Sequence, residues 1–124
     1  MKKHYKLSDK ELRKNIFDKY NGKCAYCGSH IEKFHIDHIV PLNRNGSQMD
    51  KFLDNGEKHL ISNLNPSCPA CNISKSSFPL ETWRGELQLK IDRIERDSST
   101  FRNLKRFGLV GILKTKVVFY FETL

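Results

Sequence analysis

The chain has 124 residues, with 22 Lys and Arg against 14 Asp and Glu, a formal net charge of +8. That length gives room for one domain with a modest core, to which a structural metal would be a useful support. No apolar run approaches the roughly 20 residues of a membrane span, since the longest, 109–113 and 117–121, are strand-sized. The Met-Lys-Lys start runs straight into charged residues and not into the apolar stretch of a secretory signal. The expectation is a cytoplasmic protein that does not engage a membrane.

The charge is uneven: net +5 over 1–23, −1 over 24–83 and +5 over 84–116. Two basic flanks around a near-neutral centre suit a polyanion, and nucleic acid is the abundant one in the cytoplasm. The plainer alternative is a solvated surface.

In chain order, Ser8 and Glu11 form a capping box, with Leu7 and Leu12 at the staple positions. A helix follows, its apolar stripe being Leu12, Ile16, Phe17 and Tyr20, and Asn21-Gly22 ends it. Residues 35–40 suggest a short strand stopped by Pro41, and 43–58 read as a long polar loop. A strand-like Leu60-Ile61 precedes Asn63, and a short helix is expected around 72–77. From Leu80 to about Asp97 the pattern is helical, with Leu87, Ile91 and Ile94 on one face. Thr100 is placed to cap a further helix carrying Phe101, Leu104 and Phe107, closed by Gly108. Residues 117–121 read as a final strand. The fold class is therefore α+β: one domain over 1–124, with a basic helix in 1–23, a core in 24–78 and a basic helical extension with a strand in 79–124.

All four cysteines fall in two Cys-x-x-Cys pairs, Cys24/Cys27 and Cys68/Cys71, separated by 40 residues. Each turn brings two thiolates to zinc-ligand spacing, and two turns complete a tetrahedral site with no open position. A redox pair would need only one such turn and a thioredoxin-like pattern that is missing here. The zinc is thus expected to be structural.

Between and after the knuckles the chain reads His35-Ile36-Asp37-His38-Ile39-Val40-Pro41-Leu42, then Gly46, Asn63-Leu64, Asn72 directly after Cys71, and Lys75. This series resembles the HNH endonuclease family of the His-Me finger, or ββα-metal, group over residues 24 to about 77, roughly half the chain. The resemblance implies a zinc-stapled ββα module with His38 as general base, Asp37 and Asn72 as ligands of a catalytic ion, and Asn63 steadying the base. Many members carry His where this chain has Asn72, which implies a changed metal preference. It also implies hydrolysis of double-stranded DNA to 5′-phosphate and 3′-hydroxyl ends, with no small-molecule cofactor.

The chemistry is coherent on its own terms. A neutral imidazole can take a proton from water near pH 7, and oxygen ligands favour Mg²⁺ or Mn²⁺. Adjacent Asp37 and His38 on an extended strand point opposite ways, so the chain must bend there. Asn65 is an alternative to Asn63, and His35 is a weak candidate for phosphate contact. His4, His30 and His59 have no such context. Lys75, Arg44, Arg93, Arg96, Arg102 and Arg106 are the candidates for DNA contact, with a solvated Lys75 as the plainer alternative. Two rival readings remain. A non-catalytic zinc module that binds DNA would fit the knuckles and flanks but gives no reason for Asp37, His38, Asn63 and Asn72 to occur together. A zinc nucleobase deaminase needs His-x-Glu and Pro-Cys-x-x-Cys, where this chain has His35-Ile36-Asp37 and Ser67 before Cys68.

Overall fold

The computed structural model describes residues 10–41 and 61–124. Its elements in order are α1 (Lys10–Asp18), β1 (His35–His38), a 3₁₀ turn (Ile61–Asn63), β2 (Leu64–Ser67), α2 (Pro69–Lys75), α3 (Leu80–Asp97), α4 (Ser99–Arg106) and a last 3₁₀ turn (Tyr120–Thr123). They group into two compact units. One holds the described residues up to Leu80 together with Phe119–Leu124, and the other is Glu81–Val118. No helix among the described residues is long and apolar enough to cross a membrane. The Ser8 cap, Leu7, Arg44, His4, His59 and the 43–58 loop lie outside the described residues.

In the first unit the α1 stripe becomes the core. Leu12, Ile16 and Leu64 are fully buried, and Phe34, Ile36 and Ile61 pack on them. The helix stops because Asn21 and Gly22 turn left-handed, at φ 55° and 75°. A Cβ at Gly22 would also stand 2.9 Å from the Phe17 ring, so both conformation and space ask for glycine there. Lys19, just past α1, donates to Ile61 O at 3.2 Å, Leu64 O at 2.9 Å and Asn65 Oδ1 at 3.1 Å, which fastens the start of β2 to the helix.

β1 and β2 pair antiparallel, with Asp37 opposite Asn65 and His38 opposite Leu64. The first strand ends at His38, two residues sooner than the 35–40 pattern suggests: Ile39 N–H still bonds to Asn63 O at 2.9 Å, but the Asn63 side chain then takes both backbone groups of Val40. Of the expected strand-like Leu60-Ile61, Leu60 lies outside the described residues, and Ile61 opens a 3₁₀ turn instead, with pairing from Leu64. α2 starts at Pro69, earlier than expected. Cys68 is its N-cap, and the Cys68 sulfur accepts the Cys71 N–H at 3.4 Å. Proline suits the first helical position because its missing N–H is not needed there.

The expected strand at 117–121 does not form. Tyr120 N–H bonds to Tyr26 O at 3.0 Å and Phe121 N–H to Ala25 O at 2.8 Å, and the chain then curls into its 3₁₀ turn. A two-residue stretch of knuckle backbone offers too short an edge for a ladder. The aromatic residues that suggested a strand instead pack edge-on against Tyr26, Phe119 at 5.5 Å and Phe121 at 6.0 Å between ring centres.

In the second unit α3 covers the expected span, yet its buried residues are Trp83 and Arg84, and Ile94 on the expected face is 44% exposed. The Arg84 guanidinium pairs with Glu81 at 3.0 Å and donates to Val117 O at 2.5 Å. Ser98 and not Thr100 caps α4, accepting the Phe101 N–H at 3.1 Å. Thr100 already lies inside the helix, so it cannot serve the first turn. Arg102 reaches back to the last carbonyls of α3, Glu95 O and Arg96 O, and Gly108 closes α4 at φ 71°.

Lys19→Met should strand the carbonyls that its ammonium now serves. A loss of about 1–3 kcal/mol in urea unfolding is expected, with bound zinc unchanged.

Candidate functional site

The four cysteine sulfurs all lie within 4.8 Å of one another. Cys27 and Cys68 are 3.8 Å apart, about the sulfur–sulfur edge of a tetrahedron with Zn–S bonds near 2.3 Å. Local backbone builds this spacing: Gly28 N–H bonds to Cys24 O at 3.0 Å, with Gly28 left-handed at φ 76° under the Tyr120 ring. All four thiols are free. A hydrogen bond from Cys71 is the largest influence on Cys24 and holds its thiol down at about 4, while the same bond pushes Cys71 upward. One favoured thiolate, at Cys24, among crowded sulfurs offers a soft divalent ion a first ligand. The donor set fits structural zinc.

Beside the cluster lies the first knuckle's Tyr26, which is 4% exposed. Its hydroxyl donates to Asp37 Oδ2 across a short hydrogen bond. Burial chiefly, and then the nearby Asp37 charge, pushes the Tyr26 pKa up, so the phenol stays a donor. Asp37 is itself buried on β1, and Lys75 from α2 stands 3.2 Å from its Oδ2. Burial raises the Asp37 carboxyl and the Lys75 charge opposes the rise. Burial lowers the Lys75 ammonium and Asp37 opposes that fall. Each ion thus limits the cost of burying the other.

The same Lys75 ammonium donates to His38 O at 2.9 Å. Lys75 is fully buried, which corrects its expected place at DNA phosphate: it is an internal strut between α2 and β1. Asn63 also acts through backbone. Its Oδ1 accepts the Val40 N–H at 2.8 Å and its Nδ2 donates to Val40 O at 3.1 Å. This clamp holds the bend directly after His38. Asn72 is half-buried on α2, one turn before Lys75 and so on the same helix face. Hydrogen bonds thus join Lys75 to Asp37 and to the His38 carbonyl, and Asn63 to the two residues after His38, whereas Asn72 is placed only by its position on α2.

Asn65 takes a structural part. Its Oδ1 accepts from Lys19, and its buried Nδ2 has no hydrogen bond of ordinary geometry, although the amide lies near enough to Tyr26 to favour the phenolate. His30 is exposed, and an isolated bridge pairs it with Lys23. Tyr26, Lys19 and Arg84 escape a reading of the sequence. For Tyr26 the only signal is its place between two ligand cysteines.

The basic residues of the second unit are largely engaged. Arg93 pairs with Glu86 at 3.0 Å, Arg96 with Asp97 at 2.8 Å and Lys105 with Glu95 at 2.8 Å. Arg106 donates to Asn103 Oδ1. Among the described residues, Lys90, Lys114 and Lys116 make no ion pair. Lys114 and Lys116 line a groove of about 740 Å³ with Gly85, Gln88 and Thr115, and no catalytic candidate lies on it.

A two-stranded sheet, a following short helix and two cysteine knuckles beside a buried Asp37 and a half-buried His38 define a zinc-knuckle-like ββα module. Residues 24–78 match the family profile described as HNH endonuclease. YoqL, an SPbeta prophage-derived protein of Bacillus subtilis (strain 168) provisionally named an HNH endonuclease, is 36% identical over 84 residues, which is 65% of this chain and 34% of the relative. The chain spans about a third of the length of that curated relative. A crystal structure of the type II-C Cas9 enzyme from Actinomyces naeslundii resembles it with a TM-score of 0.50 and 27% identity, over 85% of this chain and 11% of that one. Over residues 24–78 this chain is therefore similar to the HNH endonucleases.

Two outcomes follow from the site. Lys75→Met leaves the Asp37 carboxyl buried without its cation, at a cost of about 3–5 kcal/mol near neutral pH. Its folded pKa then lies further above the unfolded value near 3.9. The variant should therefore be least impaired below that value and lose stability as pH rises through the raised one, which thermal melts across pH will read. Chelation under reducing conditions should release about one zinc per chain and cooperatively lower the melting temperature, and added zinc should restore it.

Proposed function

We propose that the protein is a metal-dependent endonuclease that hydrolyses DNA phosphodiester bonds, leaving 5′-phosphate and 3′-hydroxyl ends. The observation that carries this reading is the buried Asp37 next to His38, where Lys75 and Asn63 hold the strand end in place within the HNH segment. His38 accepts a proton from water. The resulting hydroxide attacks phosphorus, the bond to the 3′ oxygen breaks, and that oxygen leaves and takes a proton from solvent. Asp37 and Asn72 are the oxygen donors that would hold Mg²⁺ or Mn²⁺, and the donor set fits a hard cation. When bound, such an ion stabilises charge on the phosphate and the leaving oxygen. Asn63 positions the His38 turn through Val40.

Substrate contact is assigned to the second unit. Exposed ion pairs are weak and exchange readily for phosphate, so Arg93 and Arg96 remain usable, while Arg102 and Arg106 mainly brace the helices. Lys90, Lys114 and Lys116 make no direct ion pair among the described residues and are the more available cations. Free cysteine thiols suit a reducing cytoplasm.

His38→Ala should keep zinc, fold and DNA affinity while losing about 10²–10⁴-fold in plasmid cleavage with Mg²⁺. Cleavage at the wild-type rate by folded, zinc-loaded His38→Ala would sink the assignment, and retardation of DNA without cleavage by the wild type would favour the non-catalytic binding module. DNA affinity should fall steeply with salt. Replacing Lys90, Lys114 and Lys116 by Gln should flatten that slope at least as much as replacing Arg93 and Arg96. An unchanged slope in both sets would show that this charge only solvates the surface.

A further inference from the structure

We propose that Tyr26 is a positioning residue that reserves one oxygen of Asp37 for the catalytic cation, which makes the cysteine knuckle part of ion selection. This inference rests on the reading of Asp37 as a ligand. Tyr26 sits between Cys24 and Cys27, so the sulfur cluster fixes its backbone from both sides. Ala25 N–H bonds to Pro66 O at 2.9 Å on β2, and Tyr26 O receives Tyr120 N–H at 3.0 Å. The ring is walled by Phe119 and Phe121. The hydroxyl therefore has little freedom, and it points at Asp37 Oδ2.

The two carboxylate oxygens of Asp37 are unequal. Oδ2 receives the Tyr26 hydroxyl and has the Lys75 ammonium at 3.2 Å. Oδ1, among the described residues, takes a long Lys75 hydrogen bond at 3.5 Å and no hydroxyl. An ionised carboxylate offers about two acceptor sites on each oxygen, so Oδ2, with the hydroxyl and the nearer ammonium, is the more occupied oxygen and Oδ1 the more open one. A single available oxygen suits Mg²⁺, which takes one oxygen per carboxylate in a tight octahedron. Ca²⁺ is larger and readily takes both oxygens of one carboxylate. The Tyr26 hydroxyl thus acts as a guard on Oδ2 that disfavours the larger ion.

Tyr26→Phe keeps the ring packing and removes only the guard. The test uses the zinc-loaded full chain. Mn²⁺ binding is followed by the electron spin resonance of the free ion, with Mg²⁺ and Ca²⁺ as competitors. Outer partners of a ligand typically change metal affinity about 10–100-fold. The expected result is unchanged zinc content and a Ca²⁺-to-Mg²⁺ preference shifted roughly tenfold or more toward Ca²⁺. A merely structural role would weaken the ions together and leave their ratio alone, and an unchanged ratio overturns the proposal. Asp37→Asn separates the two layers of the argument. Wild-type Mn²⁺ binding by that variant removes the ligand reading and this inference with it, whereas lost binding with an unchanged Tyr26→Phe ratio removes this inference alone. Should Tyr26→Phe lose zinc or unfold, the wild type still decides. The slowly exchanging Tyr26 hydroxyl proton should persist in proton NMR at saturating Mg²⁺, and its loss on Mg²⁺ addition overturns the proposal.

Discussion

Four sulfurs drawn within 4.8 Å of one another tie residues 24–27 to residues 68–71 across 40 residues of chain. Closing a loop of that length costs entropy, and the apolar core available to offset it is small, with Leu12, Ile16 and Leu64 at its centre. A metal bound by the thiolates couples its own binding free energy to folding. Each knuckle then sets something beyond itself. The first fixes Tyr26 and offers its backbone to the C-terminal residues. The second supplies the Cys68 cap, so that a seven-residue α2, far too short to stand alone, starts in one defined place.

From that start the reach of α2 decides the site. Lys75, its last residue, enters the interior and meets both Asp37 and the His38 carbonyl. A buried ion pair is a poor source of net stability, because desolvation takes back much of the attraction. What it supplies here is register. A slip of β1 by one residue would turn Asp37 away from Tyr26 and Lys75 and leave three buried polar groups without partners. The Asn63 clamp on Val40 does the same for the bend after His38. The residues of the site are thus held by hydrogen bonds to fixed backbone as much as by packing.

The second unit is organised differently. Its buried residues are few: Arg84–Glu81 and Arg93–Glu86 pair within α3, Arg84 also reaches Val117 O, and Arg102 and Lys105 connect α4 to the end of α3. Several exposed apolar residues, among them Phe107, Leu109 and Leu113, remain uncovered within it. A basic unit of this kind can trade carboxylate partners for phosphate without losing its core, because little of that core depends on the exposed pairs.

By itself the sequence determined the elements whose causes are local. The α1 stripe and its Asn21-Gly22 stop, the span of α3, the Gly108 closure and the two Cys-x-x-Cys turns follow from spacing and backbone preference, and the series around Asp37, His38, Asn63 and Asn72 carried the resemblance to the HNH endonucleases. Only the tertiary structure decided what depends on partners distant along the chain. Lys75 looks like any surface lysine until β1 is laid beside α2, 38 residues earlier in the chain. Residues 117–121 have the composition of a strand, but a strand needs an edge, and the knuckle offers two bonds and an aromatic wall instead. Of the arginines that read as a nucleic-acid face, Arg93 pairs with Glu86 seven residues earlier, and Arg102 turns to the carbonyls of Glu95 and Arg96, partners that only the folded helices bring within reach. Tyr26 has no signal in the sequence beyond its place between two cysteines: only the fold, through the sulfur cluster and β1, brings its phenol to the Asp37 carboxylate.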